Sequence, residues 1–270
     1  MLDSVNNTNT ISTRGVLREY IYFGLILLTN AMLIGSISSI DLPNTQFNSV
    51  YNVAKLRNEI IPFLVVYFSF IFISHLFLIG YIKSNAVRVS STQFPEVFAI
   101  IESQAKVLGF KKTPSLYLLN GNGMINAFAT RFGMRNYIVI YSSVFELAYK
   151  EGREELAFII GHELGHLKRG HTSFIKRILQ ISSILVPFLN KAYSRACEYS
   201  CDRIGSQLSS LGASNGLLLL ACGPELFRKI NAKDYLITSQ RDRGFATWLY
   251  EIFSTHPSLS KRIAAIDRGV

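Results

Sequence analysis

Two long stretches of the chain carry no charged residue at all. One runs from Tyr20 to Ile40 and the other from Ile60 to Ile82. An α-helix rises about 1.5 Å per residue, so each run is long enough to cross a hydrocarbon layer of about 30 Å. They predict a transmembrane helical hairpin with spans at about 20–40 and 60–82. The polar segment 41–59, with Pro43 and several Asn, reads as the connecting loop. Pro62 falls near the start of the second span, where a missing amide proton does little harm. Residues 1–19, rich in Asn, Thr and Ser, read as a flexible tail. A cleaved signal peptide is the rival reading of the first run, but the tail before it is long and no Ala-x-Ala site follows. The run is read as an uncleaved anchor.

Past Lys83 the pattern turns periodic. Phe94, Val97, Phe98, Ile101, Ala105 and Leu108 recur at helical spacing, and Gly109 is placed to end that helix. Ser115–Leu119, Ile125–Arg131 and Tyr137–Tyr141 read as strands, separated by turns at 120–123 and at Gly133. Ser142 or Ser143 can cap a short helix, and Glu151–Lys168 is a strong helical segment. Ile178–Asn190 is uncharged but too short to span, and Pro187 interrupts it, so it reads as an interfacial or buried helix. The predicted fold class is α+β, with the hairpin followed by a mainly helical domain over 83–270 that holds a small β-sheet.

The formal net charge is +10, and all of the excess lies beyond residue 82, where 24 basic residues face 14 acidic ones. Beside two spans, a basic domain is expected to lie on the cytoplasmic side of an inner or plasma membrane, against anionic lipid. The basic residues are scattered and no nucleic-acid motif is present, so no nucleic-acid partner is expected. Three cysteines argue against a disulfide framework and suit a reducing compartment. Cys197 and Cys201 share a helix face and read as packing residues. His75 lies inside the second span without an acidic partner and reads as a lipid-interface or helix-contact residue.

The candidate chemistry sits at His162-Glu-Leu-Gly-His166. Two histidines four apart lie one turn apart on the same helix face and can grip one Zn²⁺. Glu163 is then placed to take a proton from water at the metal, the general base of a peptide hydrolysis. Gly161 and Gly165 weaken a helix interior, which implies close approach by another element. The extended pattern with a third histidine would need Gly at 169 and His at 172. Arg169 and Thr172 exclude it, and His171 falls one residue out of register. The remaining ligand candidate is in Ser194–Asp202. Glu198 and Asp202 are four apart and can both face the first helix, Glu198 as third ligand and Asp202 as acceptor from a ligand histidine. His171 is left between a supporting and a surface role.

Four blocks in order carry a resemblance. They are Asn126-Ala-Phe-Ala129, His162–His166, Ser194-Arg195 with Glu198-Tyr199 and Asp202, and Thr255-His-Pro257 with Arg262-Ile263. Over roughly 90–270 the chain resembles the HtpX-like and CaaX prenyl endopeptidase family of integral-membrane zinc peptidases, within the gluzincins. The resemblance implies Glu163 as general base and His162, His166 and Glu198 as ligands of one zinc. It implies Asn126, Ala127 and Phe128 as part of an edge strand holding an extended substrate backbone, a mode in which main-chain hydrogen bonds give affinity. It implies His256 as a group steadying the oxyanion, supported by Arg262. Members of the HtpX type have further spans after the zinc helix, and the prenyl proteases have many more. This chain lacks both, which argues against a narrow prenyl-CaaX activity. The expected function is endoproteolysis of membrane or misfolded polypeptides near the bilayer. The alternative is a catalytically silent, zinc-stabilised membrane scaffold or holdase.

Overall fold

The computed structural model describes residues 11–38, 46–150, 152–180 and 186–268 of the chain. Helix α1 spans Leu17–Ser38 and α2 spans Gln46–Asn85. Strand β1 (Val87–Arg88), α3 (Pro95–Val107) and β2 (Ser115–Leu119) follow. A hairpin of β3 (Ala127–Phe132) and β4 (Arg135–Tyr141) leads into α4 (Ser142–Lys150) and α5 (Arg153–Lys168). The remainder is helical: α6 (Phe174–Leu179), α7 (Pro187–Leu208), α8 (Ala213–Cys222), α9 (Ala232–Arg241), α10 (Phe245–Phe253) and α11 (Leu259–Asp267).

The sheet order is β1-β2-β4-β3, with β2 parallel to β4 and β3 antiparallel to it. The two-residue turn Gly133-Met134 joins β3 to β4, and Gly133 takes a φ of +57° that favours glycine. Alternation along the strands sorts side chains to two faces. Leu116, Ile138 and Ile140 pack with Ile101 of α3 and Leu156, Ile160 and Leu164 of α5. Tyr117, Leu119, Tyr137 and Val139 face the other way, onto Ile79 and Ile82 of α2. The sheet is therefore covered on both faces, by the helical domain and by the end of α2. Strand β3 forms an edge of the sheet, with no further strand beside it among the described residues.

Helices α5 and α7 cross at very short range. A Cβ on Gly165 would stand 3.2 Å from Cys201 Cα, and one on Gly161 would stand 3.2 Å from Gly205 Cα. Gly205 is equally tight, its would-be Cβ 3.0 Å from the Phe158 carbonyl oxygen. The glycines that weaken α5 as an isolated helix thus admit α7 to its surface. Cys197 and Cys201 are buried free thiols in this packing.

Several boundaries differ from expectation. Among the described residues one stretch, Ile61–Asn85, is long and apolar enough to cross a bilayer. The end of the first apolar run, 39–40, and the start of the expected loop, 41–45, lie outside the described residues. The rest of that loop is helix from Gln46 onward, because no Gly or Pro between Gln46 and Ile61 interrupts it. Pro62 consequently sits inside α2 rather than at its first turn. Pro187 starts α7 rather than interrupting a helix, since its fixed φ and absent amide proton suit a first helical position. Residues 181–185 of the expected 178–190 segment lie outside the described residues. The part of the N-terminal tail that is described is held rather than loose. Val16 N donates to Ser200 Oγ (2.9 Å), Ser12 N donates to Gln207 Oε1 (2.9 Å), and Arg169 Nη1 donates to the Thr13 carbonyl (2.8 Å).

Candidate metal centre and active site

Helix α5 presents His162, Glu163 and His166 to a cleft of about 350 Å³. Helix α7 brings Glu198 to the same place. His162 Nε2 lies 3.2 Å from His166 Nε2, and their distances to the Glu198 carboxylate are 3.6 and 3.3 Å. All three donor groups fall within 4.8 Å of one another. Two imidazole nitrogens and a carboxylate converging on one point are all electron-pair donors, so the set fits a cation. The close α5–α7 crossing makes this convergence possible.

The other nitrogen of each histidine is also met. His162 Nδ1 stands 2.9 Å from Asp202 Oδ1, although out of line for a straight hydrogen bond. His166 Nδ1 stands 3.1 Å from His171 Nδ1, and His171 Nε2 stands 3.0 Å from Glu19 Oε1. His171 is thus part of the site's support. Burial pushes its ring down to about 4 despite its bond to Glu19.

Arg262 of α11 is buried behind the ligands. Its Nε and Nη2 donate to Asp202 Oδ2 and Oδ1 (2.8 and 2.6 Å), and its Nη1 lies 3.2 Å from Glu198 Oε2. Burial by itself raises the Asp202 and Glu198 carboxyls. The Arg262 charge overrides it in both, with help from hydrogen bonds to Arg262 at Asp202 and to His166 at Glu198. Both carboxyls are held below their ordinary range, Glu198 well below. Arg262, expected to support His256 at the oxyanion, has its guanidinium engaged by these two carboxylates.

His256 follows α10 and opens onto the cleft with a side chain 64% exposed, its Nε2 3.8 Å from Glu198 Oε1. Arg195 holds that loop by donating to the carbonyls of Ile252 (3.2 Å) and Ser254 (2.7 Å). On the opposite wall run Asn126, Ala127, Phe128 and Ala129. The Asn126 side chain turns back and accepts from Ala127 N (2.9 Å), while its carbonyl accepts from Tyr141 N (3.0 Å). Beyond β3 a second cavity of about 580 Å³ is walled by Phe72, Phe132 and Phe174, and shares Thr172 with the cleft.

All ten residues singled out from the sequence line this cleft or lie directly against it: His162, Glu163, His166, Glu198, Asp202, His256, Arg262, Asn126, Ala127 and Phe128. Sequence reasoning missed Glu19, Arg169 and Ser200. The only available signal was a charge at the very start of an apolar run, which reads equally well as a span boundary.

Comparison with known proteins places the chain in a family. The model of peptidase family M48 matches residues 91–189 and 172–270. Two protease HtpX homologues align along most of the chain. The one from Helicobacter pylori (strain Shi470) is 26% identical over 227 residues, 70% of each chain. The one from Thermodesulfovibrio yellowstonii is 23% identical over 251 residues, 74% of this chain and 83% of its own. A chloroplastic plastoglobule-localized metallopeptidase 48 of Arabidopsis thaliana is 27% identical over 145 residues, 53% of this chain and 40% of its own. The crystal structure of S. mikatae Ste24p superposes with a TM-score of 0.51 at 17% identity, covering 93% of this chain and 67% of that one, a likeness of fold. The two histidines and the glutamate gathered at the helix crossing could hold a metal ion, which suits a metallopeptidase. The chain belongs to peptidase family M48.

Proposed function

We propose that this chain is a membrane-anchored, zinc-dependent endopeptidase that cleaves membrane or misfolded polypeptides next to the bilayer. The observation that carries the reading is the meeting of His162, His166 and Glu198 beside Glu163, in one cleft with an edge strand as its wall. Zinc bound there would supply Lewis acidity toward a peptide carbonyl and toward water. The rest of the work falls to the chain. Strand β3 offers its open edge to an extended substrate backbone, placing the scissile bond over the ligands. Glu163 takes the proton of the attacking water and returns it to the leaving amine. His256, exposed at the mouth, donates toward the oxygen that gains charge. Asp202 and Arg262 keep His162 and Glu198 in place.

Membrane placement rests on α2 and on the outward face of α1. Phe63, Val66, Phe70 and Phe77 of α2 are exposed, as are Ile21, Leu25, Leu28 and Met32 of α1, and such surfaces suit lipid. We read the two helices as a hairpin with the catalytic domain on the cytoplasmic side. The apolar cavity between α2, β3 and α6 shares Thr172 with the cleft, which favours apolar substrate segments.

The test is cleavage of an unfolded polypeptide by purified protein in detergent, with metal content measured in parallel. Wild type is expected to hold about one zinc per chain and to cleave. His162→Ala is expected to lose both, and Glu163→Gln to keep the metal and lose cleavage. Full turnover by Glu163→Gln, or a metal-free active wild type, would remove this mechanism.

A further inference from the structure

We infer that Glu19, at the start of the N-terminal helix, is a positioning residue for the metal centre, acting through His171 on His166. The inference rests on the metal-site reading above and extends it to a part of the chain that otherwise looks like an anchor.

The chain of contacts admits one arrangement of protons that leaves His166 able to bind a metal. An ionised carboxylate only accepts, so Glu19 Oε1 at 3.0 Å requires the hydrogen on His171 Nε2. In a neutral imidazole the other nitrogen is then an acceptor. His171 Nδ1 faces His166 Nδ1 at 3.1 Å, so His166 must donate from Nδ1. Its Nε2 is left with a free pair, pointed at Glu198 and His162. Were the His171 tautomer reversed, the hydrogen of His166 would move to Nε2 and the ligand would be lost. Glu19 therefore selects the tautomer of a ligand two residues away in the relay.

Glu19 is itself held from several directions. Arg169 forks onto it, with Nη2 2.7 Å from Oε1 and Nε 3.0 Å from Oε2, and Ser200 Oγ donates to Oε2 at 2.5 Å. The guanidinium lies over the Tyr20 ring at 5.2 Å. A rigidly held carboxylate is what outer support of a metal ligand needs. The two ligand histidines come out alike: His162 has Asp202 at its far nitrogen directly, and His166 has Glu19 there through His171. Glu19, His171 and Cys197 also lie close enough to share a cation, as do His166, His171 and Cys201. The Arg169 fork already satisfies Glu19, and burial raises the Cys197 thiol to about 12, which disfavours the thiolate a metal needs. Support fits these groups better than a second metal.

The experiment uses the full chain in detergent. Zinc affinity is read by chelator competition and the ligand field by the visible spectrum of the Co²⁺-loaded protein. Glu19→Gln and His171→Leu are each expected to weaken metal binding about 10–100-fold and to shift the Co²⁺ bands. The double variant is expected to lose no more than either single one, because both act on the same relay. Ile101→Ala opens a cavity in the core between α3 and the sheet, away from the relay, and is expected to lower the melting temperature while leaving affinity and spectrum unchanged. Wild-type affinity and spectrum in Glu19→Gln would overturn the inference. So would fully additive losses in the double variant, or two metals per wild-type chain with one lost in Glu19→Gln. A wild type that binds no metal would overturn the metal centre itself, and this inference with it.

Discussion

The crossing of α5 on α7 and the outer half of α2 are built from the same apolar residue types to opposite ends. At the crossing, glycines bring two backbones together, and the buried polar groups of the site meet partners: His162 with Asp202, Arg262 with Asp202 and Glu198, Arg169 with Glu19. Along α2, Phe63, Val66, Phe70 and Phe77 meet no other part of the described chain closely enough to be covered. Gly80 of α2 has open space where a Cβ would go, whereas Gly205 of α7 has a carbonyl 3.0 Å away. One region is satisfied by the protein alone. The other leaves its apolar side chains uncovered among the described residues.

Substitutions on the two sides should therefore separate function from location. The largest effect is expected from Glu163→Gln, which should lower turnover by about 10²–10⁴-fold with metal content and membrane association unchanged. Single-turnover kinetics beside metal analysis check it. Phe70→Asp, on the exposed face of α2, should oppose insertion by about 3 kcal/mol while leaving metal affinity alone. Alkaline extraction of membranes reads the shift, and an unchanged membrane fraction would count against α2 as a span.

A smaller effect is expected at the crossing. Gly205→Leu should cost about 1–3 kcal/mol by overpacking, lower the melting temperature, and weaken zinc binding as α7 is pushed from α5. Gly80→Leu should change neither reading beyond about 0.5 kcal/mol. Equal behaviour of the two variants would remove the contrast between the regions.

The smallest effect is a pH dependence. The Asp202 carboxyl is depressed in the folded state, because Arg262 outweighs burial. Its contribution is complete above the unfolded value, near 4, and is lost as pH falls through the lower folded value. Metal-free wild type should therefore lose melting temperature more steeply than Asp202→Asn below about pH 4. Parallel melting curves from pH 6 to pH 3 measure this.

The two apolar runs, three of the strands and the helix of His162 were legible because each is a local pattern: a long uncharged run, an alternation, or a four-residue spacing. Glu198 was legible for the same reason, through its spacing to Asp202. The expected loop was misread from Gln46 onward, since polarity alone does not end a helix and no Gly or Pro lies between Gln46 and Ile61. Pro187 was misread because a proline that breaks a helix and one that begins it look alike without knowing which side is helical.

By itself the sequence determined that this chain has a helix with two histidines one turn apart, a downstream carboxylate pair and two long uncharged apolar runs. These follow from residue type and short-range periodicity, which need no partner. Only the tertiary structure decided who stands behind the ligands. Arg262 proved to be a clamp on Glu198 and Asp202, because its guanidinium meets two buried carboxylates before it meets the cleft. Glu19 came to lie behind His171, 152 positions away, because α1 packs on α7 and a buried carboxylate takes the partners nearest to it. Contacts of that reach depend on how helices cross, and no local pattern in the chain encodes them.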